Sequence, residues 1–388
     1  MTRIRYAEQT ISETDIEEVV KVLKSDFLTQ GPTIPAFEEE VSKVCHAKYA
    51  VAVNSATSAL HLSCLALDVG PGDIVWTTPN TFVSTSNAAK YCGATVDFVD
   101  IDRKTFNVCL SVLTRKLEDA RRIKSLPKVL IVVHFAGQSA DMKAIHDLSQ
   151  IFGFKILEDA SHAIGGKYKG LPVGICKYSD AAVFSFHPVK IITSGEGGMI
   201  VTQSKAIADR VYRLRSHGIT SDKDEMKKCA NDELWNYQQL DLGFNYRMTD
   251  IHAALGLSQL KQLNKFVEKR HKIANWYNRN LNDLPVILPY QSEESYSSFH
   301  LYTIRLQLKE ITRSKIEIFN RFREKDILVN FHYIPVYRQP YYEAQGFKKG
   351  YCPEAEKYFQ DAISIPMHPG LTDDDLQRVL EVSRDSIR

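Results

Sequence analysis

The sequence predicts an α/β protein: an open, mostly parallel sheet sandwiched by helices, followed by a smaller α+β domain. Two observations carry this. From about residue 48 to 202, short β-rich runs alternate with helical stretches, the pattern of strand–helix–strand units. After about residue 245 the texture changes to one long helical stretch, then scattered strands and helices. The division implied is a large domain over residues 1–245 and a small one over 246–388.

Taken in order, Tyr49–Val53 (YAVAV) is apolar throughout and reads as a buried strand, with a helix over Thr57–Leu67. Asp73–Thr78 is strand-like and Phe82–Cys92 helical. Thr95–Val99 and Lys128–His134 are strands. The apolar spacing of Asp141–Phe152 predicts a helix, and Phe154–Leu157 a strand that runs into acidic residues. Ala181–Phe186 and Met199–Thr202 complete the sheet. In the second part, Thr249–Leu281 reads as one long helical stretch, with Asp250 favouring its N-terminus. His300–Leu308 is strand-like, Arg313–Lys325 helical, and a last helix starts at Thr372. Asp222–Asn231 is a charge-dense loop.

Composition excludes several classes. Apolar residues at 44% and charged residues at 25% are ordinary globular usage, against disorder or a coiled coil. A net charge of +2 carries no field for nucleic acid or a membrane surface, so neither partner is expected. The start, MTRIRYAEQT, has no apolar signal region. The longest strongly apolar run, Val129–Val133, falls far short of the roughly 20 residues a bilayer span needs. Seven cysteines, none in C-x-x-C spacing, fit a cytoplasmic protein with reduced thiols and no metal site.

Four features stand where strands end, where open α/β sheets bind ligands. The first is Asn54–Leu60 (NSATSAL), opening a helix. Its small hydroxyl residues leave backbone N–H groups pointing outward, an anion site at which Thr57 and Ser58 add hydroxyls; a plain N-cap is the alternative. The second is Glu158–Ala163 (EDASHA). Asp159 is placed to hold a protonated heteroaromatic nitrogen, or to cap the next helix; His162 faces the same ligand or is a hydrogen-bonded core histidine. The third is Phe184–Lys190 (FSFHPVK), followed by a turn containing Gly-Glu-Gly-Gly. Lys190 sits between an aromatic-rich strand and that turn, where a merely solvated lysine is unusual. The fourth is Pro79–Ser84, where Phe82 stacks on a flat ligand or packs as a core aromatic.

One cofactor accounts for all four. Pyridoxal 5′-phosphate needs a lysine for its Schiff base, an acid beside its pyridinium nitrogen, an anion site for its phosphate and a flat partner for its ring. The lysine must lose its proton far below its ordinary pKa of about 10.4, and partial burial supplies that shift. The competing dinucleotide-dependent oxidoreductase would need G-x-G-x-x-G after the first strand, and Val53-Asn-Ser-Ala-Thr-Ser has no glycine there.

The segments NSATSALHLS, TTPNTFVSTSNAA, EDASHAIGGKYKG, FSFHPVKIITSGEGGMIVT, LRSHGI and FNYRMTDIHAALGLSQL occur in that order. Together they resemble the DegT/DnrJ/StrS family of sugar aminotransferases over nearly the whole chain. The resemblance implies a fold-type I aminotransferase fold, pyridoxal phosphate as cofactor, and a homodimer with active sites shared between subunits. It implies Lys190 as the imine lysine, Asp159 as the pyridinium partner, His162 beside the phenolic oxygen and Phe82 on the ring. It implies Ala56, Thr57 and Ser185 at the phosphate, reached from the other subunit by Arg247. Some relatives carry His at the lysine position and are dehydratases, so Lys190 implies transamination. A PLP-binding regulator without turnover is a further reading that the complete residue set opposes.

Within the family, SFHPVK, LRSHGI, NFHYIPVY and SIPMHPGL most resemble the PseC-type enzymes. These use glutamate to aminate the 4-keto carbon of a UDP-linked 2-acetamido-2,6-dideoxy-hexos-4-ulose, toward pseudaminic acid. Lipid A arabinose-type and other nucleotide-4-keto-sugar aminotransferases share many of these motifs and remain the alternative. For the substrate, the resemblance implies Leu28 and Thr29 in an early lining loop and His217 facing the sugar. It also implies His332 and Tyr333 delivered across the subunit interface.

Overall fold

The computed structural model describes residues 3–227 and 235–387. It begins with two helices the sequence analysis did not delimit, α1 (Glu13–Leu23) and α2 (Thr33–Cys45). The sheet region then runs β1 (Tyr49–Val53), α3 (Ala56–Ala66), β2 (Ile74–Thr77), α4 (Val83–Tyr91), β3 (Thr95–Phe98), α5 (Leu110–Arg122), β4 (Val129–Val133), α6 (Met142–Phe152) and β5 (Lys155–Asp159). It closes with β6 (Ala181–Ser185), β7 (Gly198–Thr202) and α7 (Lys205–Arg215).

These strands form one seven-stranded sheet in the order β1-β7-β6-β5-β4-β2-β3. Only β7 runs against the rest, antiparallel to both β1 and β6. The expected mostly parallel α/β sheet is therefore present. Alternation along each strand divides its side chains between two covered faces, which is why the strands are apolar throughout. Val51, Val53, Ile131 and Val183 pack toward α3, α4 and α7. Ala50, Ala52, Phe184 and Val201 pack toward α2 and the helices after residue 249. Trp76, Leu130, Val132 and Ile156 pack under α5 and α6.

Local chemistry sets the helix ends. Ser55 caps α3 by accepting from the Ser58 amide, and Asp141 caps α6. Gly153 ends α6 with φ 80°, a left-handed conformation that a side chain would disfavour.

The stretch expected as one helix over Thr249–Leu281 is two, α8 (Asp250–Leu260) and α9 (Leu263–Asn280), broken at Lys261–Gln262. Asp250 does lie in the first turn of α8. Its carboxylate, however, accepts from the Gly31 and Thr33 amides, at 2.8 and 2.9 Å, and so fixes the entry to α2. The remaining main elements are β8 (Tyr302–Leu306), α10 (Lys315–Glu324), α11 (Pro353–Asp361), β9 (Ala362–Ile365) and α12 (Asp373–Ile387). Strand β8 sits between β9 and Val286–Ile287 in an antiparallel sheet. That sheet shares a core with α9, α10 and α12.

Two long-range joins matter for the site. Ile4–Arg5 pairs in parallel with Ile327–Leu328. Val336, Tyr337, Tyr342 and Tyr358 pack into the α3–α4 face of the large sheet. Among the described cysteines all six are free; Cys229 and residues 228–231 of the expected charged loop lie outside the described residues.

Candidate active site

A cavity of about 560 Å³ opens at the carboxyl edge of the sheet. Its lining includes Ala56, Thr57, Phe82, Asp159, His162, Ser185 and Lys190, all singled out in the sequence, together with His332 and Tyr333. Because six of the seven strands point the same way, their ends deliver these groups to one edge.

Asp159 is the last residue of β5, two places beyond the end of the sequence-expected strand, and is buried. Thr85 Oγ1 donates to its Oδ2 at 2.6 Å, and Ser161 Oγ donates to its Oδ1 at 2.6 Å. The carboxylate is thus aimed from both sides. Lys190 lies on the turn after β6, its amide donating to the His187 carbonyl at 2.9 Å. Burial pulls the pKa of its amine down to about 8, against the opposing pull of the Asp159 carboxylate.

The N-terminus of α3 faces the cavity through Ala56 and Thr57. Ser58 was expected to add a hydroxyl there, and the structure corrects this. Its Oγ donates to Asn54 Oδ1 at 2.6 Å and its amide donates to Ser55 Oγ at 3.1 Å, so Ser58 completes the helix cap instead. The amides of Ala56 and Thr57, ahead of the first helical bonds, have no protein partner among the described residues. Gly198 at the start of β7 lets the cap approach closely: a Cβ there would stand 2.5 Å from the Ser55 backbone and 2.7 Å from the Ala56 nitrogen.

Phe82 is the N-cap of α4, and its ring is 58% exposed at the cavity mouth. His162 is buried, and burial, then the charge of Lys190, hold its pKa well below the usual histidine value. Tyr333 Oη lies 3.1 Å from its Nε2, while its Nδ1 is buried without a partner. His332 is likewise kept neutral, its pKa lowered to about 3 by burial and by Lys190. Its Nδ1 lies 2.9 Å from Ser364 Oγ.

His332 and Tyr333 were expected to serve the other subunit's site. They instead line the cavity of their own chain, because the segment after Ile327–Leu328 folds back over the sheet's carboxyl edge. The peptide between them is cis.

Four expected residues lie outside this cavity and form one connected ledge. Thr29 bridges Thr249, and the Asp250 amide donates to the Leu28 carbonyl. Ser216 bridges Asn245, the His217 amide donates to the Phe244 carbonyl, and Arg247 Nη1 donates to Ser216 Oγ at 3.4 Å. Leu28, Thr29 and His217 are exposed there.

The sequence reading missed Tyr6, Thr85, Ser161, His187, Glu196, Asn330 and His300. Ser161 had a signal, a hydroxyl two residues after an Asp. Thr85 had a weaker one, lying four residues after Thr81 on a helical turn, where the two hydroxyls meet at 2.7 Å. Tyr6 and His300 had none, since only the fold brings them near; His300 packs its ring 4.3 Å from that of His162.

The residues present fit pyridoxal 5′-phosphate. An amine with no hydrogen-bond partner among the described residues, a two-sided carboxylate, unpartnered amides at a helix N-terminus and an exposed aromatic face converge on one cavity. The unpartnered Nδ1 of His162 marks the same place.

Comparison with known proteins agrees with this reading. The family model of the DegT/DnrJ/EryC1/StrS aminotransferases matches residues 9–384. The chain is 36% identical over 386 residues to the spore coat polysaccharide biosynthesis protein SpsC of Bacillus subtilis, covering 99% of this chain and 97% of that one. It is 38% identical over 369 residues to a UDP-4-amino-4,6-dideoxy-N-acetyl-β-L-altrosamine transaminase of Campylobacter jejuni, covering 94% and 92%. Among solved structures it resembles Helicobacter pylori PseC, an aminotransferase involved in pseudaminic acid biosynthesis. The TM-score is 0.89 at 31% identity, covering 100% of this chain and 99% of that one.

Proposed function

The chain belongs to the DegT/DnrJ/EryC1/StrS aminotransferase family, and from that premise we propose its substrate: a UDP-linked 2-acetamido-2,6-dideoxy-hexos-4-ulose, aminated at the 4-keto carbon with L-glutamate as donor. The protein is a pyridoxal-phosphate-dependent transaminase. The observation that carries the site assignment is the convergence of Lys190, Asp159 and the N-terminus of α3 on one cavity.

When bound, the cofactor supplies a carbonyl carbon that takes up and returns the amino group, and a ring that accepts electron density. In the proposed division of labour, Lys190 Nζ holds the cofactor at rest and moves the proton at the reacting carbon once substrate displaces it. An amine with pKa near 8 holds a neutral fraction at pH 7 roughly 300-fold larger than one at 10.5. Asp159, oriented by Thr85 and Ser161, keeps the proton on the ring nitrogen. The Ala56 and Thr57 amides, with Ser185, bind the phosphate. His162, held neutral, offers a hydrogen bond without adding positive charge. Tyr333 and Phe331 close the wall and exclude water.

We further propose a cytoplasmic homodimer in which the ledge of Leu28, Thr29, His217 and Arg247 serves the partner's cavity. Support comes from the positions: these four lie together, outside their own cavity, and Arg247 brings a charge suited to a phosphate. The similarity to SpsC over 99% of the chain supports a second reading, another nucleotide-linked 4-keto sugar.

One experiment separates these readings. Purified protein with glutamate is offered UDP-, GDP- and dTDP-4-keto sugars, and the aminated product is read by mass. The UDP-linked 2-acetamido sugar should turn over fastest. Preference for another sugar overturns the substrate, and no visible absorbance band lost in Lys190→Ala overturns the site.

A further inference from the structure

Behind the cavity wall, three side chains stand in a line. Thr81 lies in the turn before α4 and lines the active-site cavity. Thr85, in the first turn of α4, is buried behind it and does not line the cavity. The two hydroxyls meet at 2.7 Å, and the Thr85 hydroxyl reaches Asp159 Oδ2 at 2.6 Å. Helix formation does not account for the Thr81 hydroxyl, because α4 has no side-chain cap.

Proton counting gives this line a direction. Each hydroxyl has one proton to donate, and a carboxylate can only accept. The Thr85 proton therefore points to Asp159, and Thr85 can only accept from Thr81. The Thr81 proton points to Thr85. Neither hydroxyl has another hydrogen-bond partner among the described residues.

We propose that Thr81 is a further positioning residue of the transaminase, the outer member of a hydroxyl chain that acts through Thr85 to keep Asp159 a carboxylate. The inference rests on the assignment of Asp159 to the cofactor's ring nitrogen. Donors to a carboxylate stabilise its charged form. Between Asp159 and the ring nitrogen, the proton stays with the partner that holds it more strongly. Thr85 on one oxygen and Ser161 on the other weaken the hold of Asp159 and leave the proton on nitrogen. Thr81 strengthens the Thr85 donation, since each hydroxyl in such a chain polarises the next. Both threonines are buried, so a valine methyl in place of either hydroxyl fills the space and does not admit water. The same turn carries Phe82, so one loop serves both the face of the ring and, through the chain, its nitrogen.

The test uses holoenzyme loaded with pyridoxal phosphate isotopically labelled at the ring nitrogen, whose NMR shift reads protonation of that atom without turnover. Thr85→Val should move the shift toward the unprotonated value, and Thr85→Ser should restore it. Thr81→Val should move it the same way by a smaller amount. The reaction with glutamate alone, followed by loss of the visible band, supplies a rate. It should slow about tenfold in Thr85→Val and about two- to threefold in Thr81→Val, with the glutamate concentration for half-maximal rate unchanged. Because Thr81 acts only through Thr85, Thr81→Val should add nothing in a Thr85→Val background and keep its effect in a Ser161→Ala background.

A protonated ring nitrogen that stays unmoved in Thr85→Val overturns the proposal. So does a Thr81→Val effect that survives in Thr85→Val, or a Thr85→Ser protein that behaves like Thr85→Val, which would assign the change to packing. A ring nitrogen already unprotonated in the parent enzyme overturns the Asp159 assignment itself, and the hydroxyl chain with it.

Discussion

At the scale of single residues, the chemistry rests on where Lys190 gives up its proton. The free amine of a solvated lysine is scarce at neutral pH. Inside the cavity, burial favours the uncharged form and brings the midpoint to about 8. The sign is definite: below that pH the amine is protonated and unreactive, and above it neutral. Loading of cofactor-free protein with pyridoxal phosphate, followed by its visible absorbance, should therefore accelerate with pH and level off just above pH 8. A rate still climbing steeply at pH 10 would show an amine without this burial. The identity of Lys190 was readable from its place between an aromatic strand and a glycine-rich turn. Its partners were less so, because Thr85 reaches Asp159 across 74 positions of sequence, and no local pattern reports that meeting.

At the scale of elements, the phosphate cradle is a helix start held by a strand start. Strand β7 joins β1 and β6 through Gly198, which opposes both Val53 and Ser185. The backbone of Ser55 and Ala56 occupies the space a side chain would take there. Gly198→Ala must push the first turn of α3 outward. Overpacking of this kind costs about 1–3 kcal/mol. The variant should melt several degrees lower and lose pyridoxal phosphate on dialysis that the parent protein survives; unchanged retention would place the phosphate elsewhere. The strands themselves were legible, since a strand buried on both faces is an unbroken apolar run, as in YAVAV and VLIVV. Less legible was the break between α8 and α9. Both sides of Lys261–Gln262 carry helical spacing, and Leu260 and Leu263, which flank the break, pack into the same core, so no change in the apolar pattern marks it. The fold-back of His332 and Tyr333 was equally hidden, because a two-residue strand pairing with Ile4–Arg5 decides it.

At the scale of the whole molecule, the residues divide into a cavity that one chain completes and a ledge that it leaves facing outward. If the ledge serves a neighbouring subunit, a chain with Lys190→Ala and a chain with Arg247→Ala should rescue each other in verified mixed dimers. One of the two sites in such a dimer then carries neither defect. Activity near half that of the parent dimer is expected from steady-state assays, and no recovery would confine each site to one chain. A separate consequence follows from the pairing of Ile4–Arg5 with Ile327–Leu328, and from Tyr6 packing its ring 5.1 Å from that of His332. The first and the late parts of the polypeptide meet over the same opening. During synthesis, Lys190 and Asp159 leave the ribosome well before the strand that roofs them. The nascent chain thus carries an open, solvent-facing cleft until residue 333 has emerged, and vitamin capture in its final form belongs to the last moments of translation.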